Sequence, residues 1–221
     1  MARGATIIVG VGPGLGVALA ERFGREGRKV GLVARRAGEL EGHRRALAER
    51  GVEAVAAAGD AGDEASLRGA VERAAADLGE VETLVYNAFA PRQGRPSKLD
   101  PKALVDDFRV NVAGALVAAQ AVLPALRARG GGAILFTGGG LALDPYPDFA
   151  SVAVGKAGIR NLALSLAKEL APENIHVATV TICGFIKEGT PFAPAAIADA
   201  YAELAAEPKD AWRAELVFRG G

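Results

Sequence analysis

Four glycines follow a short apolar run near the start of the chain and lead into a helical pattern. The run 5–9 is rich in β-branched residues, and apolar residues recur at helical spacing after it. Glycine lets the backbone approach a pyrophosphate closely, and the first turn of a helix offers free N–H groups and a positive dipole end. Strand, glycine turn and helix in this order predict a dinucleotide-binding loop, which comprises Gly10, Gly12, Gly14, Leu15 and Gly16.

Two consecutive arginines, Arg35 and Arg36, follow the second predicted strand. A carboxylate at this position hydrogen-bonds an adenosine ribose and rejects a 2′-phosphate, whereas an arginine favours that phosphate. The pair therefore predicts a preference for NADP(H), with NAD(H) as the possible second cofactor. The alternative is that both arginines are solvated side chains at the start of a helix.

Polar residues also follow the third and fourth predicted strands. Asp60, with Ala61 beside it, can accept a hydrogen bond from an adenine amino group, or it can form an Asx turn or a helix cap. Asn87 and Ala88 follow the next strand, where a buried Asn can fix the backbone or a ribose. These four residues are predicted to contact the cofactor.

Two further polar residues interrupt apolar helical patterns. Asn111 lies inside a long helical pattern although Asn is a poor helix former, which indicates a packing role or a site role. Lys156 lies among apolar residues of another predicted helix. Such a lysine either extends its ammonium group to solvent or binds something polar, such as ribose hydroxyls.

Short apolar strands alternate with longer Ala- and Leu-rich helices along the chain, and this alternation would position these residues. The pattern predicts an α/β fold: a Rossmann-like, doubly wound parallel sheet of about seven strands in three α/β/α layers, forming one domain over 1–221. Ligands of such sheets bind at the carboxyl ends of the strands. The predicted strands are 5–9, 29–33, 52–57, 83–86, 133–136, 175–182 and 215–218, and the helices are 15–26, 39–50, 63–78, 100–129, 149–170 and 194–207.

Composition argues against several functional classes. Lys and Arg together number 26, as do Asp and Glu, so charge gives no case for binding nucleic acid or a membrane surface. Cys183 is the single cysteine, which rules out an internal disulfide and favours a reducing, cytoplasmic location. We expect no signal peptide and no membrane span. His43 and His176 lie far apart without further ligands beside them, so no metal site is predicted.

Taken in order, these motifs resemble the short-chain dehydrogenase/reductase family over essentially the whole chain. Gly10, Gly14 and Gly16 match the Gly-x-x-x-Gly-x-Gly cofactor loop of that family, and Asp60, Asn87-Ala88, Asn111 and Lys156 follow at family-like positions. Cys183-Gly184 is similar to a Pro-Gly turn, and Gly220-Gly221 to the usual ending. The resemblance implies an NADP(H)-dependent oxidoreductase acting on a small carbonyl or alcohol. It adds Gly184, Ile186 and Thr190 as cofactor contacts, with the cap of a turn as the alternative role of Thr190.

The departures from this family concern catalysis. The resemblance implies a catalytic Tyr four residues before the lysine and a Ser thirteen residues before that Tyr, where this chain has Val152 and Gly139. Asn111 and Lys156 remain as catalytic residues. Phe89 replaces a Gly and Tyr86 an Asn around the Asn-Ala pair, which would reshape the pocket or simply pack behind the strand. The segment 184–194 is also short for a substrate lid.

Two hypotheses follow from these departures. In the first, the chain is an oxidoreductase with a substitute proton donor, for which Tyr146, in a loop between two prolines, is the candidate. The alternative role of Tyr146 is that of a surface tyrosine. In the second hypothesis, the chain binds a nicotinamide nucleotide without chemistry of its own, as a sensor or partner subunit.

The predicted helices 101–129 and 149–170 are apolar over more than one stripe. A helix that is apolar on several sides requires burial on several sides. This pattern predicts a homodimer or homotetramer formed through these helices. The alternative is that the additional apolar face lies wholly under the sheet.

Overall fold

Seven strands form a single sheet in the order β3-β2-β1-β4-β5-β6-β7, and all neighbouring pairs are parallel. The structure is a computed structural model that describes residues 4–220. Central strands are buried along their length, as in a sheet covered on both faces. The strands are β1 Ala5–Val9, β2 Val30–Ala34, β3 Ala54–Ala58, β4 Val81–Tyr86, β5 Gly132–Thr137, β6 Ile175–Ile182 and β7 Glu215–Phe218.

Helices cover both faces of this sheet and bury one core on each. The helices are α1 Leu15–Gly24, α2 Ala37–Ala48, α3 Glu64–Leu78, α4 Pro101–Phe108, α5 Gly114–Arg129, α6 Ala150–Leu170 and α7 Pro194–Ala205. One core contains residues of α3, α5 and α6, and the other contains residues of α1, α2 and α7. This arrangement confirms the predicted three-layer α/β/α fold with a doubly wound parallel sheet.

The predicted helix 101–129 runs without a break, but its middle is a π-helical turn and not regular α-helix. Helices α4 and α5 are joined by a π-helical turn, Arg109–Ala113, which contains Asn111. The Tyr86 hydroxyl donates to Val110 O at 2.6 Å, and a Cβ on Gly114 would overlap Ala61 O. The wider turn therefore lets the chain pack closely against the ends of β3 and β4. π-turns of this kind are frequent at functional sites.

Aspartate side chains cap the starts of two helices. Asp63 accepts from Ser66 N at 2.7 Å before α3, and Asp100 accepts from Lys102 N at 3.0 Å before α4. Gly79 leaves α3 with a φ of 80°. The similarity of Gly220-Gly221 to a family ending falls partly on Gly221, which lies outside the described residues.

Within residues 4–220, the stretch Pro101–Arg129 is the one helical segment long and apolar enough to cross a membrane. Its most apolar window has a mean hydropathy of 1.4, and 56% of that window is buried against the rest of the protein. Burial of this kind is typical of a core helix. This burial agrees in part with the alternative stated above, in which the additional apolar face of the helix lies under the sheet and not in an interface between copies.

Strand order reverses between β1 and β4, which lie side by side at the centre of the sheet. The chain leaves β1 towards β2 on one side and leaves β4 towards β5 on the other. The two connections separate at the carboxyl ends of these strands and open a crevice there, which is the usual ligand position in such folds.

Candidate functional site

A cleft of about 1300 Å³ opens at the carboxyl ends of the strands. Its walls come from the β1–α1 turn, the ends of β2, β3 and β4, the loop after β4 and the segment after β6. Most residues predicted to bind a cofactor meet here: the lining includes Gly10, Gly12, Gly14, Leu15, Gly16, Arg35, Arg36, Asp60, Ala61, Asn87, Ala88, Gly184 and Ile186.

The glycine loop combines close packing below with open space above. Gly10 has a φ of 89°, and a Cβ there would overlap the backbone of Ala88. A Cβ on Gly16 would lie 2.9 Å from Gly10 O. In contrast, a Cβ on Gly12 or Gly14 would meet no atom within 4 Å. The loop is thus pinned to β4 at its base, and Gly12 and Gly14 face a cradle that a pyrophosphate fits.

At the end of β2, the two arginines differ in their partners. Arg36 Nη2 pairs with Glu39 at 2.7 Å. Arg35 lines the cleft and is exposed, and no ion pair involving it is found within residues 4–220. Arg35 is therefore the cation better placed to meet a phosphate.

Asp60 forms the Asx turn that the sequence left as an alternative. Its Oδ1 accepts from Gly62 N at 2.9 Å, and its own N–H donates to the Ser66 hydroxyl at 3.0 Å. Asp60 and Ala61 nevertheless line the cleft. The turn fixes one carboxylate oxygen of Asp60 in place, and a contact with adenine stays a prediction.

A hydrogen-bonded chain fixes the amide of Asn87. The Tyr201 hydroxyl donates to Thr137 Oγ1 at 2.7 Å, Thr137 Oγ1 donates to Asn87 Oδ1 at 3.0 Å, and Asn87 Nδ2 donates to Gly10 O at 2.9 Å. Burial raises the pKa of Tyr201, so its hydroxyl stays protonated. The chain ties β1, β4, β5 and α7 together at the floor of the cleft.

The side chain of Lys156 extends from α6 to Thr137, a member of the hydrogen-bonded chain that holds Asn87. Its Nζ donates to Thr137 O at 2.7 Å and lies 5.4 Å from the centroid of the Phe89 ring. A Cβ on Gly139 would lie 3.3 to 3.4 Å from the Lys156 stem, so the stem passes directly over this glycine. Although the side chain as a whole is half-buried, desolvation of the ammonium lowers the pKa of Lys156 to about 8.

Asn111 contacts the loop after β4 from the π-turn. Its Oδ1 accepts from Ala90 N at 2.8 Å, and its Nδ2 is buried without a partner among residues 4–220. A Cβ on Gly155 would lie 2.7 Å from Asn111 Cβ. Asn111 and Lys156 therefore converge on the segment 87–90, which also carries Phe89.

The remaining predicted residues lie further out. Val152, one turn before Lys156, is buried, and Tyr146 is 56% exposed with its ring centroid 6.2 Å from that of Phe149. Tyr146 is not among the residues that line the cleft. Thr190 Oγ1 donates to Lys187 O at 2.8 Å and accepts from Phe192 N at 3.1 Å, so it caps a turn. Catalytic and cofactor roles for these residues stay predictions.

Sequence reasoning missed an ion pair at the cleft, of which only the carboxylate is buried. Asp107 accepts from Arg92 Nε at 2.6 Å and from the Ser151 hydroxyl at 2.6 Å. Burial alone would raise the pKa of Asp107, but these hydrogen bonds outweigh it and lower the pKa. One signal was available, because Asp107 lies four residues before Asn111 and thus on the same helical face. No signal marked Tyr201, which lies in an apolar helix.

The histidine on β6 has a structural environment. His176 is buried, stacks on Trp212 at 4.9 Å between centroids, and its Nε2 lies 2.9 Å from Arg213 O. Burial lowers its pKa, which favours the neutral ring. The part of the chain that the structure describes contains no group of three or more His, Cys, Asp or Glu residues that could hold a metal ion.

Comparisons with known proteins give consistent results. Residues 5–199 match the family described as short chain dehydrogenase. A probable galactose dehydrogenase, GalD, of Rhizobium meliloti is 31% identical over 77% of this chain and 67% of its own length. A metagenomic short-chain oxidoreductase in complex with NADP is 26% identical, with a TM-score of 0.88 over 99% of this chain and 97% of that chain.

One further solved structure is relevant to the departures at Val152 and Gly139. It is an NADPH-bound short-chain oxidoreductase from Pseudomonas aeruginosa PAO1, described as containing an atypical catalytic center. It is 28% identical, with a TM-score of 0.78 over 84% of this chain and 72% of that chain.

Proposed function

Because the chain belongs to the short-chain dehydrogenase family, we propose that it binds NADP(H) and interconverts a carbonyl and an alcohol on a small molecule. One observation carries this proposal: Asn111 and Lys156 both contact the segment 87–90, which lines the cleft and is tied to the glycine loop through Asn87. Asn111 and Lys156 are also two residues to which the family resemblance assigns catalysis, which favours an enzyme over a protein that only binds a nucleotide. The NADP- and NADPH-bound relatives support the choice of cofactor.

The glycine loop would hold the pyrophosphate of the cofactor on the N-terminus of α1. Arg35 would meet the 2′-phosphate, with Arg36 beside it, and Asp60 and Ala61 would border the adenine. Asn87, Ala88 and Lys156 would border the ribose of the nicotinamide half, and Gly184, Ile186 and Thr190 the other side of that half. NAD(H) is the second candidate, with weaker binding expected because the Arg35 contact would be lost.

When bound, the cofactor supplies or accepts a hydride. The protein must then orient the carbonyl and handle one proton, since reduction leaves negative charge on the carbonyl oxygen. Asn111 holds the Ala90 backbone, which shapes the wall against which a substrate rests. Lys156 brings a positive charge to that wall and favours the build-up of negative charge on the oxygen.

Val152 has no proton to donate, so another group must deliver it. Two groups of this chain can do so. The Tyr146 hydroxyl requires its exposed loop to fold over the cleft. The Lys156 ammonium already lies beside Phe89, and its lowered pKa of about 8 makes it a better acid than an ordinary lysine. Removing a positioned acid costs roughly 10²- to 10⁴-fold in rate.

The test joins nucleotide binding to turnover. Binding of NADPH and NADH is followed by fluorescence, and NADPH consumption is then measured with aldehydes, ketones and quinones. Gly12→Ala should keep the fold and weaken NADPH binding at least 10-fold, because its Cβ would occupy the open cradle. Turnover of Tyr146→Phe is then compared with that of Lys156→Met. The variant that loses turnover identifies which of the two side chains donates the proton.

The outcomes divide the hypotheses cleanly. NADPH binding without turnover across the whole panel would favour the sensor or partner-subunit hypothesis over the enzyme. Failure to bind either nucleotide would overturn both. The single cysteine, Cys183, supports a reducing, cytoplasmic location.

A further inference from the structure

Arg92 lines the cleft and is held there by an ion pair with Asp107. It lies in the loop after β4, and both Arg92 and Asp107 line the cleft. Arg92 Nε and Nη2 donate to the two oxygens of Asp107 at 2.6 and 3.1 Å. The Asp107 side chain is 5% exposed and that of Arg92 is 43% exposed. The ion pair therefore keeps its negative end inside the protein and turns its positive end towards the solvent.

The outward edge of this guanidinium has no partner within residues 4–220. An arginine has five N–H donors, and Asp107 engages only Nε and one N–H of Nη2. The donors that remain, on Nη1 and Nη2, form a second parallel fork. Such a fork binds a carboxylate through two hydrogen bonds at once, which gives both affinity and orientation.

The Arg92–Asp107 ion pair is also held rigid from several sides. Asp107 accepts a second hydrogen bond from the Ser151 hydroxyl at 2.6 Å, which fixes the carboxylate on α4 against α6. The loop itself is tied down at Ala90, whose N–H donates to Asn111, and at Gly94, whose N–H donates to Asp148 O at 2.8 Å. Little side-chain entropy would therefore be lost on binding an anion.

Arg92 is separate from the cation expected to meet the cofactor phosphate. Arg35 follows β2, two strands away from β4 in the sheet order, on the adenine side of the glycine loop. Arg92 lies three residues after Phe89, whose ring covers the Lys156 ammonium. An anion on Arg92 would thus belong to the molecule whose carbonyl lies near Lys156.

We propose that Arg92 binds a carboxylate of the substrate, and that the chain acts on carbonyl compounds that carry an acid group. This inference rests on the proposed function, because it assigns the substrate class of the same site. The exposed Phe89 ring lines the same cleft as Arg92, three residues earlier in the loop, and offers an apolar surface for the carbon skeleton.

The test compares an acid with its ester on one skeleton. Reduction of 4-carboxybenzaldehyde and of methyl 4-formylbenzoate is measured with NADPH, and binding of terephthalate to the NADPH-bound protein is measured by calorimetry. Wild type should prefer the acid about 10- to 100-fold in kcat/KM. Arg92→Gln should abolish this preference and the binding of terephthalate, whereas Arg92→Lys should retain part of both.

Two controls keep the result interpretable. Arg95→Gln removes an arginine of the same loop that pairs with the partly exposed Asp148 and does not line the cleft, so the preference should stay unchanged. If Arg92→Gln fails to fold because it leaves Asp107 buried without a cation, the double variant Arg92→Gln with Asp107→Asn removes both charges together.

Equal kcat/KM for acid and ester in wild type would overturn the inference and leave the oxidoreductase proposal standing. Loss of the acid preference in Arg95→Gln to the same degree as in Arg92→Gln would overturn it as well. Absence of turnover on every carbonyl would instead overturn the proposed function, and terephthalate binding that depends on Arg92 would still decide whether the anion receptor exists.

Discussion

Titration of Lys156 should give the site its own pH dependence. Desolvation lowers its pKa from the ordinary 10.5 to about 8, so the ammonium is largely charged at pH 7 and largely neutral at pH 9. Carbonyl reduction that uses this charge or proton should therefore decline above pH 8. Measured as kcat/KM from pH 6 to 10, the wild-type profile should show a midpoint near 8.

Lys156→Arg provides the matched variant, because a guanidinium stays charged throughout this range. Its activity should be lower overall, since the Thr137 O contact is made by a different geometry, but it should show no decline near pH 8. A wild-type decline that appears only near pH 10, or an identical decline in Lys156→Arg, would contradict the assignment to this lysine.

At the same residue scale, the sequence indicated the groups whose type is unusual for their position. Glycines in a strand-to-helix turn, an Asn at a strand end and a Lys among apolar residues each conflict with the local pattern, and all three line or approach the cleft. Arg92 and Tyr201 gave no such conflict. Their partners, Asp107 and Thr137, are reached only through tertiary packing, which a single sequence does not encode locally.

At the scale of elements, the π-turn between α4 and α5 is the feature that most changes the site. A regular α-helix would not bring Asn111 Oδ1 to Ala90 N in the same register, because a π-turn adds a residue to the turn. The 3.6-residue pattern predicted one helix over 100–129 but carried no information on the π-turn inside it. Gly114, which follows the turn, packs closely against Ala61 after β3 and against Tyr86 on β4, and both of these residues belong to other elements.

Gly155 on α6 provides a test of how tightly this junction is packed. A Cβ at this buried position would lie 2.7 Å from Asn111 Cβ and Nδ2. Gly155→Ala should therefore lower the free energy of unfolding by about 1–3 kcal/mol and displace Asn111 from Ala90. Urea denaturation measures the first effect, and loss of turnover at unchanged NADPH affinity would report the second.

Gly42→Ala on α2 is the control for helix propensity. A Cβ on Gly42 meets no atom within 4 Å, so the substitution should raise the free energy of unfolding by about 0.4–1 kcal/mol. If Gly155→Ala is as stable as Gly42→Ala, the contact between α6 and the π-turn is looser than the structure indicates.

At the scale of the whole molecule, the fold could be predicted because its signals are repeated. Seven apolar runs alternate with helices, and parallel strands place every strand end at one edge of the sheet. Because β1 pairs with β4, this geometry brings residues as distant in sequence as Gly10 and Asn87 into contact. No repeated pattern predicts the substrate, because substrate recognition depends on a few side chains in loops of irregular conformation.

Assembly is the prediction that belongs to the whole molecule. Large apolar side chains remain exposed on α4, α5 and α6: Val105, Phe108, Leu116 and Val154. An exposed apolar face of this kind is typical of a protein interface. We therefore expect a homodimer or homotetramer through the predicted helices 101–129 and 149–170, measured by light scattering at micromolar concentration.

The variant that tests this face is Phe108→Asp with Val154→Asp, because burying two carboxylates in an apolar interface is strongly unfavourable. It should yield a monomer that keeps its helical circular dichroism. Ala46→Asp, on the exposed side of α2, adds a charge elsewhere and should leave the assembly intact. A monomeric wild-type protein would contradict the prediction, and so would a double variant that still assembles, since these side chains would then lie outside the contact.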